Sequence, residues 1–153
     1  MPTLAQIRGA IAANVAAVPN IGRVHTFERF AKNEKDFRAL YEYQGQIRGW
    51  NIRRISHSEK SPAIGISNVI NKWRISGFMS MEDATESELV FDGLVEDLCA
   101  KFREDETLGG LIASTILENP DIAGLQVEDS GPVMFAGVLC HSARCILYTW
   151  HRR

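Results

Sequence analysis

Apolar positions recur at helical spacing in two stretches of the chain. The first holds Leu4, Ile7, Ile11, Val15 and Val18, three or four residues apart, with alanines between them. Thr3 is a residue type that caps helix starts, and Pro19-Asn20 marks the end. The second stretch carries Leu89, Phe91, Leu94, Val95, Leu98 and Phe102 as its apolar stripe. The run "TESE", Thr85 to Glu88, predicts a capping box at its start, the threonine hydroxyl taking an amide three residues on and Glu88 reaching back. Asp97 and Lys101 are spaced for an i,i+4 ion pair. Glu86, Glu88 and Asp92 fall in the first turns, where the helix dipole favours negative charge.

Elsewhere the period shortens to two. Over Ile70–Met81, the residues Trp73, Ile75, Gly77, Met79 and Met81 alternate with Lys72, Arg74, Ser76 and Ser80. Phe78 is an apolar residue on the polar side of that strand. Further strands are predicted at Arg23–Phe27, Gln46–Ser56 and Leu125–Ser130. Gly131-Pro132 reads as a turn, and one or two more strands run to about Trp150. "ERFAKNEKDFRALYEY" reads as a loop with one helical turn around Asp36–Tyr41, and "LIASTILENPDIAG" as partly helical or irregular.

The segment "HSEKSPAIGISNV" between the two central strands contains Pro62, Gly65, Asn68 and three serines, and so reads as a loop. It is long for a hairpin connection, which makes it a candidate contact arm with His57, Lys60, Pro62 and Ile64 as its outer residues. The element order α-β-(loop)-β-β-α-β-β predicts one α+β domain over residues 1–153, a mostly antiparallel sheet with two main helices on one face.

Composition narrows the classes. Hydrophobic residues make up 45% and charged residues 24% of the 153, the balance of a soluble globular protein. The net charge of −2 gives the whole molecule no general attraction for nucleic acid, so any DNA contact requires local patches or several copies. Cys99, Cys140 and Cys145 form no disulfide framework and read as reduced thiols in a cytoplasmic protein. Arg8 and Asn14 interrupt the N-terminal apolar run, so no secretory signal is expected, and no stretch approaches the ~20 apolar residues of a membrane span.

Candidate chemistry is thin. The pair Gly109-Gly110 in "REDETLGGLIAS" suggests a phosphate cradle, but it follows a helix rather than preceding one, and no GKS or GKT comes after it. A helix C-cap is the better reading of both glycines. Cys140, His141 and Cys145 lack a second ligand pair for zinc, and along a strand Cys140 and His141 point to opposite faces. The acidic residues from Asp83 to Glu106 read as a solvated helix face rather than a metal site. Trp50 and Trp73 read as core. Arg48, Arg53, Arg54, Lys72 and Arg74 sit on the two central strands, and two readings stand for them: surface charge that keeps a sheet soluble, or a basic strip for phosphates or acidic neighbours. No catalytic constellation and no cofactor motif emerge.

Five segments together resemble the tail-terminator, or tail-completion, proteins of long-tailed bacteriophages and prophages: "LAQIRGAIAANVAAVPNIGRVHTFERF", "IRGWNIRR", "WRISGFMSMEDATESE", "FREDETLGG" and the C-terminal strands through "GVLCHSARCILYTW". They span nearly the whole chain. The resemblance implies an α+β subunit of a hexameric ring that ends polymerisation of the tail tube and presents a joining surface to the head-side connector and neck. It implies a structural role without catalytic residues, cofactor or metal. The partners would be further copies of the chain, the major tail tube protein and connector or neck proteins, with genomic DNA passing through the lumen without sequence-specific binding and no membrane contact. The place of action would be the virion, and the host cytoplasm during assembly. In such a ring Arg48, Arg53, Arg54, Lys72 and Arg74 would meet acidic residues such as Asp92 and Glu96 on a neighbour, or line the lumen. A connector, neck or sheath-capping subunit is the alternative within the same machine, and a small α+β enzyme or ligand-binding protein the alternative outside it.

Overall fold

A computed structural model describes residues 1–118 and 121–153. The chain forms an α+β domain in which a twisted, mostly antiparallel sheet carries helices on both faces. Three helices appear in order: α1 (Leu4–Ala16), α2 (Glu34–Leu40) and α3 (Ser87–Glu104). The strands are β1 (Arg23–His25), β2 (Glu42–Tyr43), β3 (Gln46–Ala63), β4 (Ile66–Ser80), β5 (Ile116–Leu117), β6 (Ile122–Ala123), β7 (Gln126–Phe135) and β8 (Val138–Arg152). The main sheet runs β1-β3-β4-β8-β7, with β2 also paired to β3, and only the β1–β3 pair is parallel. A separate small hairpin joins β5 to β6.

Alternation in β4 sets the two faces. Trp73, Ile75, Gly77 and Met79 point to one side, where Ala143, Cys145 and Leu147 of β8 and Trp50 and Ile52 of β3 join them. Helices α1 and α3 cover that side with Ile7, Ile11 and Val15 and with Phe91, Leu94, Leu98 and Phe102. The expectation of two helices on one face therefore holds. Both indoles are fully buried and satisfied: Trp50 Nε1 donates to the Ile21 carbonyl at 3.1 Å, and Trp73 Nε1 to the Thr149 hydroxyl at 3.0 Å. Gly77 stands opposite Trp50 in register, and any side chain at Gly77 would run into the indole ring.

Phe78 on the "polar" side of β4 is explained by a second, smaller core. Helix α2 packs there, placing Phe37 and Tyr41 with Phe78, Phe135, Ile47 and Cys140. The ring centroids lie 4.8–5.6 Å apart in tilted and edge-on pairs, the geometry aromatic quadrupoles favour. Burial pushes the Cys140 thiol up to about 11 and that of Cys145, in the larger core, up to about 12, so both remain neutral.

Several local expectations are corrected. The start of α3 has no capping box: the helix begins at Ser87, and the preceding Glu86 is left-handed with φ 56° and makes no side-chain cap. Thr85 belongs to a short 3₁₀ turn, Asp83–Thr85, and its hydroxyl donates to the Glu82 carbonyl. The capping box occurs instead on α1, between Thr3 and Gln6. Leu89 is exposed rather than part of the buried stripe, and Lys101 pairs with Glu104 at 3.1 Å rather than with Asp97. Gly131-Pro132 does not turn the chain; β7 runs through it, which an edge strand permits because the missing amide faces outward. The reversal comes at Ala136-Gly137, both at positive φ, a tight two-residue hairpin turn.

The glycine pair is not the cap of α3 either. The helix ends at Glu104, and Asp105 is extended. The Asp105 carboxylate accepts the amides of Thr107 at 2.9 Å and Gly109 at 2.6 Å, organising a separate turn in which Leu108, Gly109 and Gly110 all have positive φ. The left-handed conformation assigned to the glycines is present, but a side-chain-templated turn uses it rather than a helix terminus. Residues 116–117 and 122–123 of the segment expected to be partly helical are strands, while Asn119 and Pro120 lie outside the described residues.

Candidate functional site

The largest difference from the sequence expectation concerns the arm. His57–Val69 is not a loop. Strands β3 and β4 continue through it, paired from His57↔Asn71 to Ala63↔Ile66, and close in a two-residue turn at Ile64-Gly65 with Gly65 at φ 80°. The alternating burial that marks a strand is missing because β3 is exposed on both sides from Arg53 to Ala63. A two-sided polar ribbon has no hydrophobic period to read. Strand β8 backs this hairpin only as far as Asn68↔Arg152, and Ile64 at the tip is fully exposed. At the arm's base His57 Nδ1 lies 3.1 Å from the Asn71 amide oxygen, and Arg153 meets Glu59 at 3.1 Å. Lys60 and Pro62 line a groove together with Ile70, Ile116, Trp150, Glu106 and Glu118.

The same hairpin leaves the sheet open. Strand β1 covers the outer edge of β3 only at Gly49–Asn51, and Arg8 donates to the Ile52 carbonyl at 3.2 Å. Beyond that, among the described residues, no strand pairs with the outer side of Arg53–Ala63. The edge carries Arg53, Arg54, Lys60 and Pro62 and has register irregularities at Arg54/Ser56 and Lys60/Ala63. These are the devices that protect an edge from indiscriminate pairing. The other open edge, β7, has different chemistry: exposed Glu128 and Asp129, an irregularity at Val127/Asp129, and Pro132.

The five strand cations do not form one strip. Strand alternation sends them to different places. Arg53 and Arg74 are direct cross-strand partners on the face opposite α1 and α3, and both reach Oε2 of Glu28, at 2.7 Å and 3.6 Å. Lys72 lies on that face too, over the Tyr148 ring. Arg54 projects to the other face and lines a recess near the N-terminus with His57 and His151. Arg48 is used internally, donating to the Asn20 carbonyl at 3.2 Å and lying over the Tyr43 ring. Asp92 and Glu96 are exposed on α3, across the sheet from Arg74.

The fold also creates a polar pair that the sequence does not suggest. Ser87, at the start of α3, lies 2.8 Å from His141 Nε2 of β8, and both are buried. The Ser87 oxygen also accepts the Glu82 amide at 2.8 Å, and the imidazole stacks on Phe91. Among the described residues no carboxylate hydrogen-bonds the imidazole, so the orienting third member of a nucleophilic triad is missing. The pair pins the helix start onto the sheet. Cys140 and His141 do point to opposite faces, the thiol into the smaller core and the imidazole toward α3.

A small basin lies on the face opposite α1 and α3. Its cavity measures about 110 Å³, between the sheet and the segment that carries Glu28 and Arg29. Arg74 and Arg144 enter it from β4 and β8, and Tyr41 and Asn51 meet at its wall, the Asn51 amide donating to the Tyr41 oxygen at 3.0 Å. Arg74 Nε is buried and has no partner among the described residues.

No protein-family model matches the chain, and no curated protein matches it. Among the described residues no helix is long and apolar enough to cross a membrane.

Proposed function

We propose that this chain is a tail-terminator subunit of a long-tailed phage or prophage. In this role it is a structural virion protein that assembles into a hexameric ring on the end of the tail tube, stops tube polymerisation and offers a joining surface to the neck. The resemblance of five segments suggests this reading. The observation that carries it is the sheet's pair of unlike open edges, the β3 arm at one end and β7 at the other. A subunit in a ring needs two different, complementary patches, because a head-to-tail contact closes only when one patch meets the other on the next copy. Here one edge carries Arg53, Arg54 and Lys60, while β7 carries Glu128 and Asp129, with further acidic residues Asp92 and Glu96 on α3. The arm's exposed Ile64 and the groove beside Trp150 add an apolar component.

This arrangement changes which cation is expected to matter. Arg74 has Glu28 of its own chain within 3.6 Å, a carboxylate it shares with Arg53, whereas Arg54 and Lys60 have no carboxylate partner among the described residues. Charge reversal at Arg54 and Lys60 is therefore expected to weaken ring formation more than reversal at Arg74. Native mass measurement and negative-stain microscopy of the purified protein, alone and with tail-tube ends, test the reading. Six-fold rings that cap tube ends support it. A protein that stays monomeric or dimeric even with tube ends present sinks it. Rings that bind the connector but ignore the tube would reassign the chain to the neck.

A further inference from the structure

We propose that the basin beside Arg74 is a binding site for a single oxyanion, a carboxylate or a phosphate-sized group. The inference does not depend on ring assembly, since every residue it uses lies within one chain.

The charge balance comes first. Arg29, Arg74 and Arg144 line the cavity against one carboxylate, Glu28. That carboxylate is already shared, because its Oε2 faces Arg53 at 2.7 Å as well as Arg74 at 3.6 Å. Arg53 and Arg74 stand directly opposite each other on adjacent strands, an arrangement of like charges that disfavours the sheet unless an anion lies near both. Glu28 serves that need closely at Arg53 but only loosely at Arg74.

The second observation is the unused donor. Arg74 Nε is buried without a partner, and a buried guanidinium nitrogen left unpaired is costly. Its Nη2 faces Glu28 at a long 3.6 Å, so Glu28 does not engage the guanidinium edge in the close two-point manner that arginine and carboxylate prefer. An oxyanion in the basin that Arg74 lines gives the guanidinium a second anion beside Glu28.

Neutral donors complete the site. The Tyr41 oxygen already accepts the Asn51 amide, which leaves its proton to donate. Burial pushes the Tyr41 phenol up, which keeps that proton in place. Ser76 also lines the cavity, while Phe78 and Phe135 provide an apolar wall that lowers the local dielectric and strengthens the polar contacts. At about 110 Å³ the cavity has room for one small oxyanion head. Asp129, the cross-strand partner of Arg144, is a further carboxylate, exposed at the edge.

Titration with inorganic phosphate and, separately, with acetate tests this, read by isothermal calorimetry and thermal shift against potassium chloride at matched ionic strength. Saturable binding of either anion above the chloride control is the expected result. Tighter phosphate binding would mark a free phosphate group as the source, and equal or tighter acetate binding a carboxylate. Arg144→Gln, at an exposed position that leaves the cores intact, is expected to weaken binding about tenfold. Glu28→Gln is expected to tighten it severalfold, since it removes the competing carboxylate, an opposite effect that a merely structural role would not produce. No saturable response to either anion, or binding unchanged in both Arg144→Gln and Arg74→Gln, would overturn the proposal.

Discussion

The two faces of the sheet solve the same packing problem differently. On one, two long helices close a continuous apolar layer around Trp50 and Trp73, and the polar atoms of both indoles are satisfied inside it. On the other, the short helix α2 covers only one end with an aromatic cluster and leaves arginines, serines and a cavity over the rest. Burial of apolar area drives the first face. The second is half core and half charged surface, and apart from the acidic residues of α3 the features that suggest a ligand or neighbour lie there or along the open edges. Stability and interaction are thus largely divided between opposite sides of one set of strands.

The sharpest way to break this comparison is to empty each core in turn. Trp50→Ala is expected to cost about 3–5 kcal/mol of unfolding free energy, measured by urea titration, and Phe37→Ala an amount toward the lower end of that range because its cluster is smaller. The double variant should sum to within about 0.5 kcal/mol, since the two sites share no packing partner across the sheet. A larger deviation would show that the faces are coupled. Gly77→Ala should cost about 1–3 kcal/mol, because the added carbon meets the Trp50 ring and the indole must shift.

Smaller effects separate the two helix starts. Thr3→Ala is expected to cost about 1 kcal/mol, since Thr3 accepts the Gln6 amide at 3.2 Å, whereas Thr85→Ala should stay within about 0.5 kcal/mol because Thr85 caps no helix. Equal costs at the two positions would contradict the observed start of α3. The smallest expected effect is on pH dependence. Burial, the chain's amino terminus and His57 hold His151 below its ordinary 6.5, so the folded state disfavours its protonation. Its contribution to stability is then complete above that ordinary value and lost as pH falls toward the lowered folded one. His151→Gln should flatten the fall in melting temperature on acidification, and an unchanged slope would remove His151 as a cause.

The elements legible in advance share one property: a single buried face. Helix α1 shows its threonine cap and its stripe except the exposed Leu4, β4 its alternation as far as Met79, with Met81 exposed beyond the strand, and α3 all of its stripe except Leu89. Misreadings fell where that property failed. The arm was hidden because both of its sides are polar and exposed. Helix α2 reads as one turn in the sequence because Phe37 is its only buried residue. Phe78 looked out of place because its partners, Phe37 and Phe135, lie 41 residues before it and 57 after it in the chain.

The candidate site was legible in its parts but not in its arrangement. The arginines on the central strands stand out by composition, yet which of them share a face depends on strand register, and which have a carboxylate nearby depends on Glu28, a residue outside both strands.

Taken alone, the chain's local periodicity determined the class of the fold, its two main helices and the strand at the centre, because a repeat of 3.6 or 2 positions reflects which side of an element leaves water. The tertiary structure decided where α3 begins, since Ser87 is fixed by His141, 54 residues away, rather than by the threonine beside it. It also decided that a serine- and proline-containing segment continues two strands, because the cross-strand hydrogen bonds of β3 and β4 leave no trace in side-chain pattern. Contacts made across long stretches of chain obey the same physical chemistry as local ones, but they become visible only once the strands are in register.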